Sequence, residues 1–474
     1  MKSEFIRQLI LKEFPYQPTQ SQHLLIEKLA DFIVDPNPAS VFVLKGYAGT
    51  GKTTIVSSLV RVLPQLKASP VLLAPTGRAA KVLAGYSGRQ AYTIHKKIYR
   101  ILPSADGSIN ITLQQNKHFN AFFIVDEASM IGGTRSDQTE LFGATNLLDD
   151  LLRFVQNGDN CRLILIGDTA QLPPVHSLES PALSEVFLKN RFHLNIWSLE
   201  LRDVVRQASN SGILQNATLI RQMLSEKTAG FPRLQTNGLG DFVRLAGSDA
   251  ADQINTAFMG NQIEHSLVVC RSNKRANLFN QHIRNNVLFR ESEIAAGDLL
   301  MVVKNNYFWL PENSNAGFIA NGDIIELKRI RKTEEIYGFR FAEVSARMLD
   351  YPDEPDIEVK ILLNTLNSEG PSLSNAESRK LYEEVAADYA AVANKAQRLA
   401  MIKTNPHYNA LQIKFAYALT CHKAQGGQWA NVFVEMGYLP QQEPDIEYLR
   451  WLYTAITRAT DKVFLLNFSD PFFN

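Results

Sequence analysis

Short, continuous apolar runs recur along the first part of the chain, and each ends in a polar or glycine-containing turn. They lie at residues 41–45, 71–74, 122–125 and 163–166. A run of this length without alternation predicts a strand that is buried on both faces, as in the middle of a parallel sheet. The intervening segments have apolar residues at helical spacing, so residues 1–195 are predicted to form one α/β lobe. Residues 1–35 of that lobe are predicted to be helical, with Thr19 or Ser21 as an N-cap.

A second group of apolar runs is more widely spaced and again alternates with helical patterns. These runs lie at residues 267–270, 432–435 and 463–467. We expect them to form a second α/β lobe, built from residues 196–320 and 411–474. Residues 321–410 interrupt this lobe with two strand-like pieces and then a polar, alanine-rich helical stretch, and are therefore expected to form an insertion.

The turn after the first apolar run fits the phosphate-loop pattern G-x-x-x-x-G-K-[ST] at every fixed position, from Gly46 to Thr53. Glycines let backbone N–H groups close around a triphosphate, and the helix that follows points its positive end at the phosphates. Lys52 is expected to reach the β- and γ-phosphates, and Thr53 to offer its hydroxyl to Mg²⁺. The alternative is a chance glycine-rich turn, which the flanking strand and helix patterns disfavour.

Acidic and amide side chains follow the third and fourth apolar runs. Asp126 comes directly after residues 122–125, where a carboxylate can hold Mg²⁺, and Glu127 next to it can orient and deprotonate an attacking water. Gln171 follows the next run and could sense a γ-phosphate. The alternatives are a solvated strand end for the carboxylates and a plain turn, fixed by two prolines, around Gln171.

Composition and charge narrow the class of protein. The chain has 474 residues, a formal net charge of +1 and 45% apolar residues, as expected for a soluble protein of several domains whose nucleic-acid binding would depend on local basic patches. Cys161, Cys270 and Cys421 form no C-x-x-C pair, which argues against a zinc site or a disulfide framework. The sequence shows no signal peptide and no run as long as a membrane span, so we expect a cytoplasmic protein.

The series of motifs resembles that of superfamily 1 helicases of class B, on the Dda and RecD-like branch. Besides the phosphate loop and residues 124–129, the resemblance rests on residues 18–22 (PTQSQ), 74–81 (APTGRAAK), 93–95 (TIH), 165–175, 201–206 (LRDVVR), 417–426 (YALTCHKAQG) and 453–459 (YTAITRA). These motifs are specific and are spread over most of the chain. The resemblance implies an ATP-dependent DNA helicase with ATP and Mg²⁺ as cofactors.

The resemblance also implies roles for individual residues in the ATP site. The catalytic set is Lys52, Glu127, Gln171, Arg206 and Arg458, and the metal-binding set is Thr53 and Asp126. The nucleotide-binding set is Gln22, Gly46, Tyr47, Ala48, Gly49, Thr50, Gly51, Lys52, Thr53, Thr54, Gly427 and Gln428. Gln22 would recognise adenine, and Arg206 and Arg458 would place positive charge on the γ-phosphate from the second lobe. Gln428 stands where the family often has a glutamate for the ribose.

The DNA-binding residues implied by the resemblance lie on turns after strand ends in both lobes. They are Pro75, Thr76, Arg78, Lys81, Thr93, His95, Thr420, His422, Lys423 and Gln425. Nearby aromatic side chains, among them Tyr92 and Trp429, could stack on bases, although core packing is the favoured alternative for each of them. The expected partners are single-stranded and forked DNA, with a single-strand-binding, replication or repair protein as a further candidate, and the protein is expected to be monomeric.

The fold class implied by the resemblance is α/β, with two RecA-like P-loop lobes. A β-hairpin insertion at 91–120 is expected in the first lobe, since Asp106 and Gly107 form a strong turn signal between alternating apolar residues. A small SH3-like β-barrel with a helical extension is expected at 321–410. Residues 171–174 match the branch that moves 5′→3′. Two alternatives remain: an RNA or RNA–DNA helicase of the same architecture, and a nucleotide-switched scaffold that binds DNA without unwinding it.

Overall fold

The first lobe of the computed structural model is built around a six-stranded parallel sheet. The structure describes residues 2–103, 109–133, 146–175, 177–203, 211–311, 314, 316–439 and 442–473. The strands of this sheet are β1 (Ser40–Gly46), β2 (Ser69–Ala74), β3 (Ala91–Thr93), β6 (Ala121–Val125), β7 (Arg162–Gly167) and β8 (Asn195–Leu201). Their order is β3-β2-β6-β7-β1-β8. The four strands predicted from apolar runs are confirmed and form the middle of the sheet.

Helices cover both faces of the first sheet. They are α1 (Lys2–Glu13), α2 (Gln20–Val34), α3 (Lys52–Val62), α4 (Gly77–Ser87), α5 (Ile94–Ile98), α6 (Leu147–Gln156) and α7 (Glu185–Phe192). In β1, Phe42 and Leu44 pack against the helices of one face, while Val41 and Val43 pack against those of the other. This alternation explains why residues 41–44 of the strand are all apolar. Thr19 is confirmed as the N-cap of α2 and forms a capping box.

The second lobe contains a five-stranded parallel sheet in the order β16-β10-β17-β18-β9. Its strands are β9 (Phe242–Leu245), β10 (Ser266–Cys270), β16 (Ala418–Thr420), β17 (Trp429–Glu435) and β18 (Ala459–Leu466). Its helices are α8 (Gly212–Glu226), α9 (Gly247–Phe258), α10 (Asn273–His282), α13 (Cys421–Ala424) and α14 (Ile446–Ile456). The three predicted runs are therefore confirmed as β10, β17 and β18. The two lobes together give the predicted α/β class.

A closed barrel interrupts the second lobe, as predicted. Its strands are β11 (Leu299–Val302), β12 (Ile324–Ile336), β13 (Phe339–Met348), β14 (Ile357–Leu362) and β15 (Leu411–Phe415). The helical extension consists of α11 (Asn375–Ala387) and α12 (Lys395–Lys403), which pack on the barrel through Leu381, Val385 and Ile402. The first and last barrel strands, β11 and β15, lie outside the range 321–410. The barrel is closed only when these two flanking strands pair with each other and with the strands of the insertion.

The predicted hairpin of the first lobe is present as an antiparallel pair. Strands β4 (Tyr99–Pro103) and β5 (Ile109–Leu113) run in register from Tyr99 opposite Leu113 to Pro103 opposite Ile109. The predicted turn at Asp106 and Gly107 lies outside the described residues. At the base, the Tyr99 hydroxyl donates to Asp150 Oδ2 at 2.8 Å, which fixes the hairpin to α6.

The sheet of the first lobe continues past the predicted end of that lobe at residue 195. Strand β8 pairs in parallel with β1 from Ser40 opposite Asn195 to Gly46 opposite Leu201. Only Leu199 and Leu201 of this strand are buried, and the polar residues Ser198 and Glu200 interrupt its apolar positions, so β8 lacks the continuous apolar run used to find the other strands. Among the described residues, no helix is both long enough and apolar enough to cross a membrane.

Candidate functional site: the cleft between the two lobes

The phosphate loop lies between β1 and the first turn of α3. Gly49 and Gly51 have φ values of 74° and 84°. These values lie in the left-handed region of backbone conformation, which residues other than glycine rarely adopt. Lys52 Nζ donates to the carbonyl oxygens of Gly46 at 2.6 Å and Tyr47 at 2.7 Å. The ammonium group is thus held inside the curve of the loop, at the N-terminus of α3, where a phosphate group is favoured.

A cavity of about 950 Å³ opens over this loop and extends between the lobes. Its walls include Gln22, Tyr47, Ala48, Gly49, Gly51, Lys52, Thr53, Thr54, Asp126, Glu127, Gln171, Gln428 and Arg458 from the predicted ATP-site set. Gly46, Thr50 and Gly427 are not among the lining residues, although each adjoins one that is. Residues from both lobes therefore line one cavity large enough for a nucleotide.

The two carboxylates at the end of β6 have different surroundings. Asp126 accepts hydrogen bonds from Glu127 N at 2.9 Å and from the Tyr86 hydroxyl at 2.6 Å. Glu127 has a φ of 52°, an unusual conformation for a residue with a side chain, and 22% of its side chain is exposed. Burial raises the pKa of the Glu127 carboxyl, while the nearby Arg458 guanidinium acts in the opposite direction. Tyr86, which fixes Asp126, was not identified from the sequence.

Three side chains from three separate motifs meet in the cleft. Arg458 Nη1 lies 3.8 Å from Glu127 Oε1. With the Gln171 amide in the orientation that satisfies its neighbours, its nitrogen donates to Glu127 Oε2 at 3.3 Å and its oxygen accepts from Arg458 Nη2 at 3.1 Å. Arg458 is only 4% exposed and is also held by the carbonyl oxygen of Thr454. Glu127 and Gln171 belong to the first lobe and Arg458 to the second, so this cluster spans the cleft.

Helix α14 of the second lobe makes further polar contacts with the first lobe that the sequence did not indicate. The Tyr453 hydroxyl donates to Asp168 Oδ2 at 2.6 Å and accepts from Ala48 N at 3.0 Å. Leu172 N donates to Thr454 Oγ1 at 2.9 Å. Both side chains lie within the motif at 453–459, but no local pattern shows that they cross to the other lobe.

Gln22 occupies the edge of the cavity with both ends of its amide engaged. Its oxygen accepts from Thr19 N at 2.9 Å, and its nitrogen donates to the carbonyl oxygen of Thr50 at 3.1 Å. The side chain is 3% exposed. In this arrangement Gln22 braces the phosphate loop against α2, and its role in adenine recognition stays a prediction. Arg206, the second predicted γ-phosphate arginine, lies outside the described residues.

The predicted metal ligands, Thr53 and Asp126, both line the cavity. Among the described residues, no group of three or more His, Cys, Asp or Glu side chains could hold a metal ion by itself. Mg²⁺ commonly binds through one or two protein oxygens together with substrate phosphates and water. A hydroxyl and a carboxylate beside the phosphate loop fit that kind of site.

The predicted DNA-binding residues of the first lobe follow β2 and β3, as expected. Thr76 and Thr93 are the N-caps of α4 and α5. Lys81 Nζ donates to the carbonyl oxygen of Leu349 at 2.7 Å, and the ring centres of His95 and Phe318 are 6.4 Å apart. Leu349 of the insertion and Phe318 just before it therefore contact this surface. Burial lowers the pKa of His95 to about 4, so its ring is neutral at pH 7. Pro75, between β2 and α4, is half-buried.

Arg78 and Trp429 pack against each other across the cleft. The guanidinium carbon lies 4.0 Å from the centre of the indole ring, within the range of a cation–π contact. Trp429 is 4% exposed and belongs to the core of the second lobe. Core packing, the favoured alternative for this aromatic residue, is therefore the arrangement observed.

The predicted DNA-binding residues of the second lobe cluster at α13 but have different exposures. His422 is exposed, and Thr420 is half-buried at the N-cap position. Burial lowers the pKa of Lys423 to about 8, and its Nζ has no hydrogen-bond partner among the described residues. Gln425 is buried, and its amide nitrogen donates to the carbonyl oxygen of Leu172 at 2.8 Å. Gln425 thus contributes to the contact between the lobes.

Two protein families match separate parts of the chain. Residues 20–239 match a family described as an AAA domain, and residues 415–466 match the UvrD-like helicase C-terminal domain. Together the two ranges cover more than half of the chain. They include the phosphate loop, Glu127 and Gln171 in the first range and Arg458 in the second.

Two curated proteins are similar over most of this chain. An uncharacterised protein of Acanthamoeba polyphaga mimivirus is 22% identical over 507 residues, covering 93% of this chain and 98% of that protein. The ATP-dependent RecD2 DNA helicase of Deinococcus radiodurans is 24% identical over 458 residues, covering 94% of this chain and 50% of that protein. This chain therefore spans about half the length of the second relative.

Solved structures of Pif1 helicases are also similar in outline. One, from a study of DNA unwinding at forked duplex DNA by two coordinating Pif1 helicases, has a TM-score of 0.48 at 15% identity and covers 96% of this chain and 94% of its own. Another, Pif1 from Bacteroides with ADP-AlF3 and single-stranded DNA, has a TM-score of 0.46 at 15% identity, with 97% and 94% covered.

Proposed function

We propose that this chain, a superfamily 1B helicase resembling the RecD-like branch, is an ATP-driven motor that moves 5′→3′ along single-stranded DNA and unwinds duplex. The observation that carries the proposal is the Glu127–Gln171–Arg458 cluster, which spans the cleft beside the phosphate loop. Glu127, the carboxylate that acts in hydrolysis, belongs to the first lobe, and the buried Arg458 belongs to the second. Hydrolysis therefore depends on the position of one lobe relative to the other.

The chemistry follows from phosphoryl transfer, in which positioning and positive charge provide most of the catalysis. Lys52 and the loop N–H groups bind the phosphates, while Thr53 and Asp126 would hold Mg²⁺. A Mg²⁺ ion held there would supply positive charge beside the phosphates. Glu127 orients the attacking water and accepts its proton. Burial raises the pKa of this carboxyl, which is the direction expected of a catalytic base.

The same cluster couples hydrolysis to motion between the lobes. Arg458 stabilises the charge on the departing phosphate only when the second lobe lies against the first. ATP therefore favours the closed cleft, and loss of the γ-phosphate removes the charge that Arg458 faces. Because each lobe also has predicted DNA-binding turns, alternate closing and opening would move the protein along a strand. Gln171 contacts both Glu127 and Arg458 and is placed to report the state of the phosphate to both lobes.

A forked-substrate assay tests the proposal as a whole. Duplexes with a 5′ or a 3′ single-stranded tail are incubated with the protein, Mg²⁺ and ATP, and strand separation is followed over time. We expect the 5′-tailed duplex to be unwound and the 3′-tailed one to remain largely intact. The Glu127→Gln variant is the control, since it should bind ATP and unwind neither. Preference for the 3′ tail would contradict the assigned direction, and DNA binding without any ATPase activity would favour the nucleotide-switched scaffold.

A second assay distinguishes a DNA helicase from an RNA or RNA–DNA helicase. It compares how strongly single strands of DNA and of RNA stimulate the ATPase activity. A DNA helicase should be stimulated more strongly by the DNA strand, whereas an RNA helicase requires contacts to the 2′-hydroxyl. Equal or greater stimulation by RNA of the same sequence would favour the RNA or RNA–DNA helicase.

The hairpin of β4 and β5 is proposed to separate the strands. It starts six residues after Thr93 in sequence, beside the predicted DNA-binding turn, and Tyr99 fixes its base to α6. Replacing residues 101–112 by a short Gly-Ser turn should leave DNA-stimulated ATPase activity nearly intact. Unwinding should almost vanish, because the motor would no longer split base-pair steps worth about 1.4 kcal/mol each. Near-normal unwinding by the truncated protein would mean that another element separates the strands.

A further inference from the structure

One hydroxyl group of the second lobe contacts two functional elements of the first. The Tyr453 hydroxyl donates to Asp168 Oδ2 at 2.6 Å, directly after β7, and accepts from Ala48 N of the phosphate loop at 3.0 Å. Tyr453 and Asp168 are 1% and 2% exposed, so both hydrogen bonds are shielded from water. A backbone N–H of the phosphate loop is thereby tied to helix α14 of the opposite lobe.

Asp168, which accepts the hydrogen bond from Tyr453, is itself held in place by the first lobe. Its Oδ1 accepts from Ala170 N at 2.9 Å, so the carboxylate also shapes the turn that leads to Gln171. Burial raises the pKa of Asp168, and the Lys52 ammonium opposes that shift by stabilising the charged form. Burial also raises the pKa of Tyr453 well above its ordinary value, so the hydroxyl keeps its proton and can donate it to Asp168.

The same helix places the arginine of the cluster. Thr454, next to Tyr453, accepts from Leu172 N at 2.9 Å, and its carbonyl oxygen accepts from Arg458 Nε at 3.1 Å. The end of α14 is therefore attached to the first lobe at two points before Arg458 reaches Glu127. Changing either attachment should alter the position of Arg458 relative to Glu127.

We propose that Tyr453 is a positioning residue that couples closure of the cleft to ATP hydrolysis, by joining the phosphate loop and Asp168 to the helix that presents Arg458. This inference rests on the proposed function, because it concerns the same ATP site. When the lobes separate, both hydrogen bonds of the hydroxyl break. When they close, the hydroxyl brings the phosphate loop, the turn before Gln171 and Arg458 into one arrangement.

The test compares two Tyr→Phe variants on one helix. Tyr453→Phe removes the hydroxyl that crosses the cleft. Tyr448→Phe is the matched control: Tyr448 is also 1% exposed and on α14, but its hydroxyl donates to the carbonyl oxygen of Met436 within the second lobe. Steady-state ATPase kinetics with saturating single-stranded DNA, binding of a fluorescent ADP and thermal melting are measured for the wild type and both variants.

We expect Tyr453→Phe to lower kcat about 10- to 100-fold, the range for a lost hydrogen bond to a charged group. The KM for ATP and the affinity for ADP should change less than about threefold, because a uniform binding effect would appear in KM. Tyr448→Phe should keep kcat within about threefold of the wild type, although it also loses a buried hydrogen bond and should melt at a lower temperature than the wild type.

The proposal is wrong if Tyr453→Phe keeps a normal kcat, if it changes only KM, or if Tyr448→Phe loses as much kcat. If Tyr453→Phe does not fold, Thr454→Val is measured in its place, since it removes the acceptor for Leu172 N while keeping the size of the side chain. A normal kcat in that variant overturns the proposed role of α14 as well. Absence of ATPase activity in the wild type would instead refute the proposed function itself.

Discussion

The cleft and the seam between the first lobe and the barrel differ in how their buried carboxylates are hydrogen-bonded. In the cleft, the Glu127 carboxylate meets Arg458 and Gln171. In the seam, where the start of α4 packs on the barrel, Asp323 Oδ1 and Asp350 Oδ2 are buried without a hydrogen-bond partner among the described residues. A Cβ atom added to Gly77 would lie 2.5 Å from Asp323 Oδ1, so the carboxylate sits against the first turn of α4.

This difference indicates that the contact between the two lobes is more stable than the contact between the first lobe and the barrel. An unsatisfied buried carboxylate costs stability, whereas a charge that is paired and hydrogen-bonded costs much less. The cleft is therefore stable when closed, with its polar groups already matched across the lobes. The seam contacts the predicted DNA-binding residue Lys81 and contains carboxylate oxygens without a hydrogen-bond partner among the described residues, which costs stability. Changes in the cleft should affect catalysis strongly, and changes in the seam should affect DNA binding and stability more weakly.

The largest effect should come from Lys52→Ala in the cleft. The variant removes the ammonium held by Gly46 and Tyr47, and with it the charge expected at the β- and γ-phosphates. ATP hydrolysis should be abolished while the circular dichroism spectrum and melting profile remain close to those of the wild type. Near-normal turnover by a folded Lys52→Ala protein would show that this loop does not bind the nucleotide.

Glu127→Gln should give the next largest effect. Replacing the base with a neutral amide is expected to lower kcat about 10²–10⁴-fold, while ATP binding persists. The amide can keep a contact with Gln171 but cannot accept a proton from water. Rapid-quench measurements of hydrolysis, alongside equilibrium binding of ATP, separate the two properties. A parallel loss of binding and hydrolysis would mean that Glu127 is structural or a metal ligand.

The cleft was also the easier region to predict from the sequence. Part of its chemistry depends on short motifs at strand ends, and the order of parallel strands brings those ends to one edge, so Lys52 and Glu127 could be named from the residues themselves. Arg458, which lies between α14 and β18, was named only through the resemblance to superfamily 1 helicases. Continuous apolar runs identified the central strands for a similar reason. Strand β8 was missed because Ser198 and Glu200 interrupt its apolar residues, and the short β3 because it has only three residues.

The seam could not be predicted because it depends on how distant segments pack. Nothing local to residues 321–323 or 349–351 indicates contact with α4, since tertiary packing decides it. The same limit applies to Tyr453 and Tyr86, whose hydroxyls reach Asp168 and Asp126 from other elements. A motif gives the type of a side chain and its position along the chain, but not the partner of its polar atom.

A smaller effect, on DNA affinity, should distinguish two basic residues next to the seam. Lys81 is exposed, whereas Arg78 stacks on Trp429. If Lys81 contacts a phosphate, Lys81→Ala should reduce the slope of log Kobs against log salt concentration by about 0.7, the value for one contact with a single strand. Arg78→Ala should weaken binding with an unchanged slope, because its charge faces the indole ring. Fluorescence anisotropy over a series of salt concentrations measures both, and equal slopes in the two variants would contradict the distinction.

The smallest effect should be a pH-dependent gain in stability when Asp323 is replaced by asparagine. Burial, and then the charge of Asp350, raise the pKa of Asp323 well above its ordinary value. Between the ordinary value of about 3.9 and the raised one, the folded protein binds more protons than the unfolded chain, so stability falls as pH rises. Asparagine does not titrate and can still accept a hydrogen bond from Ala320 N, which donates to Asp323 Oδ2 at 2.7 Å.

The melting temperature of Asp323→Asn relative to the wild type should therefore increase from about pH 4 upward, with a free-energy gain of at most about 1.4 kcal/mol per pH unit. Asp353→Asn, at an exposed aspartate nearby in sequence, is the matched control and should show little pH-dependent difference. A gain that is the same at every pH would assign the effect to packing. A loss of stability at neutral pH would mean that the charged Asp323 carboxylate stabilises the seam through its contact with the first turn of α4. The carboxylates of the seam and of the cleft would then both be stabilising, and the two regions would not differ in this respect.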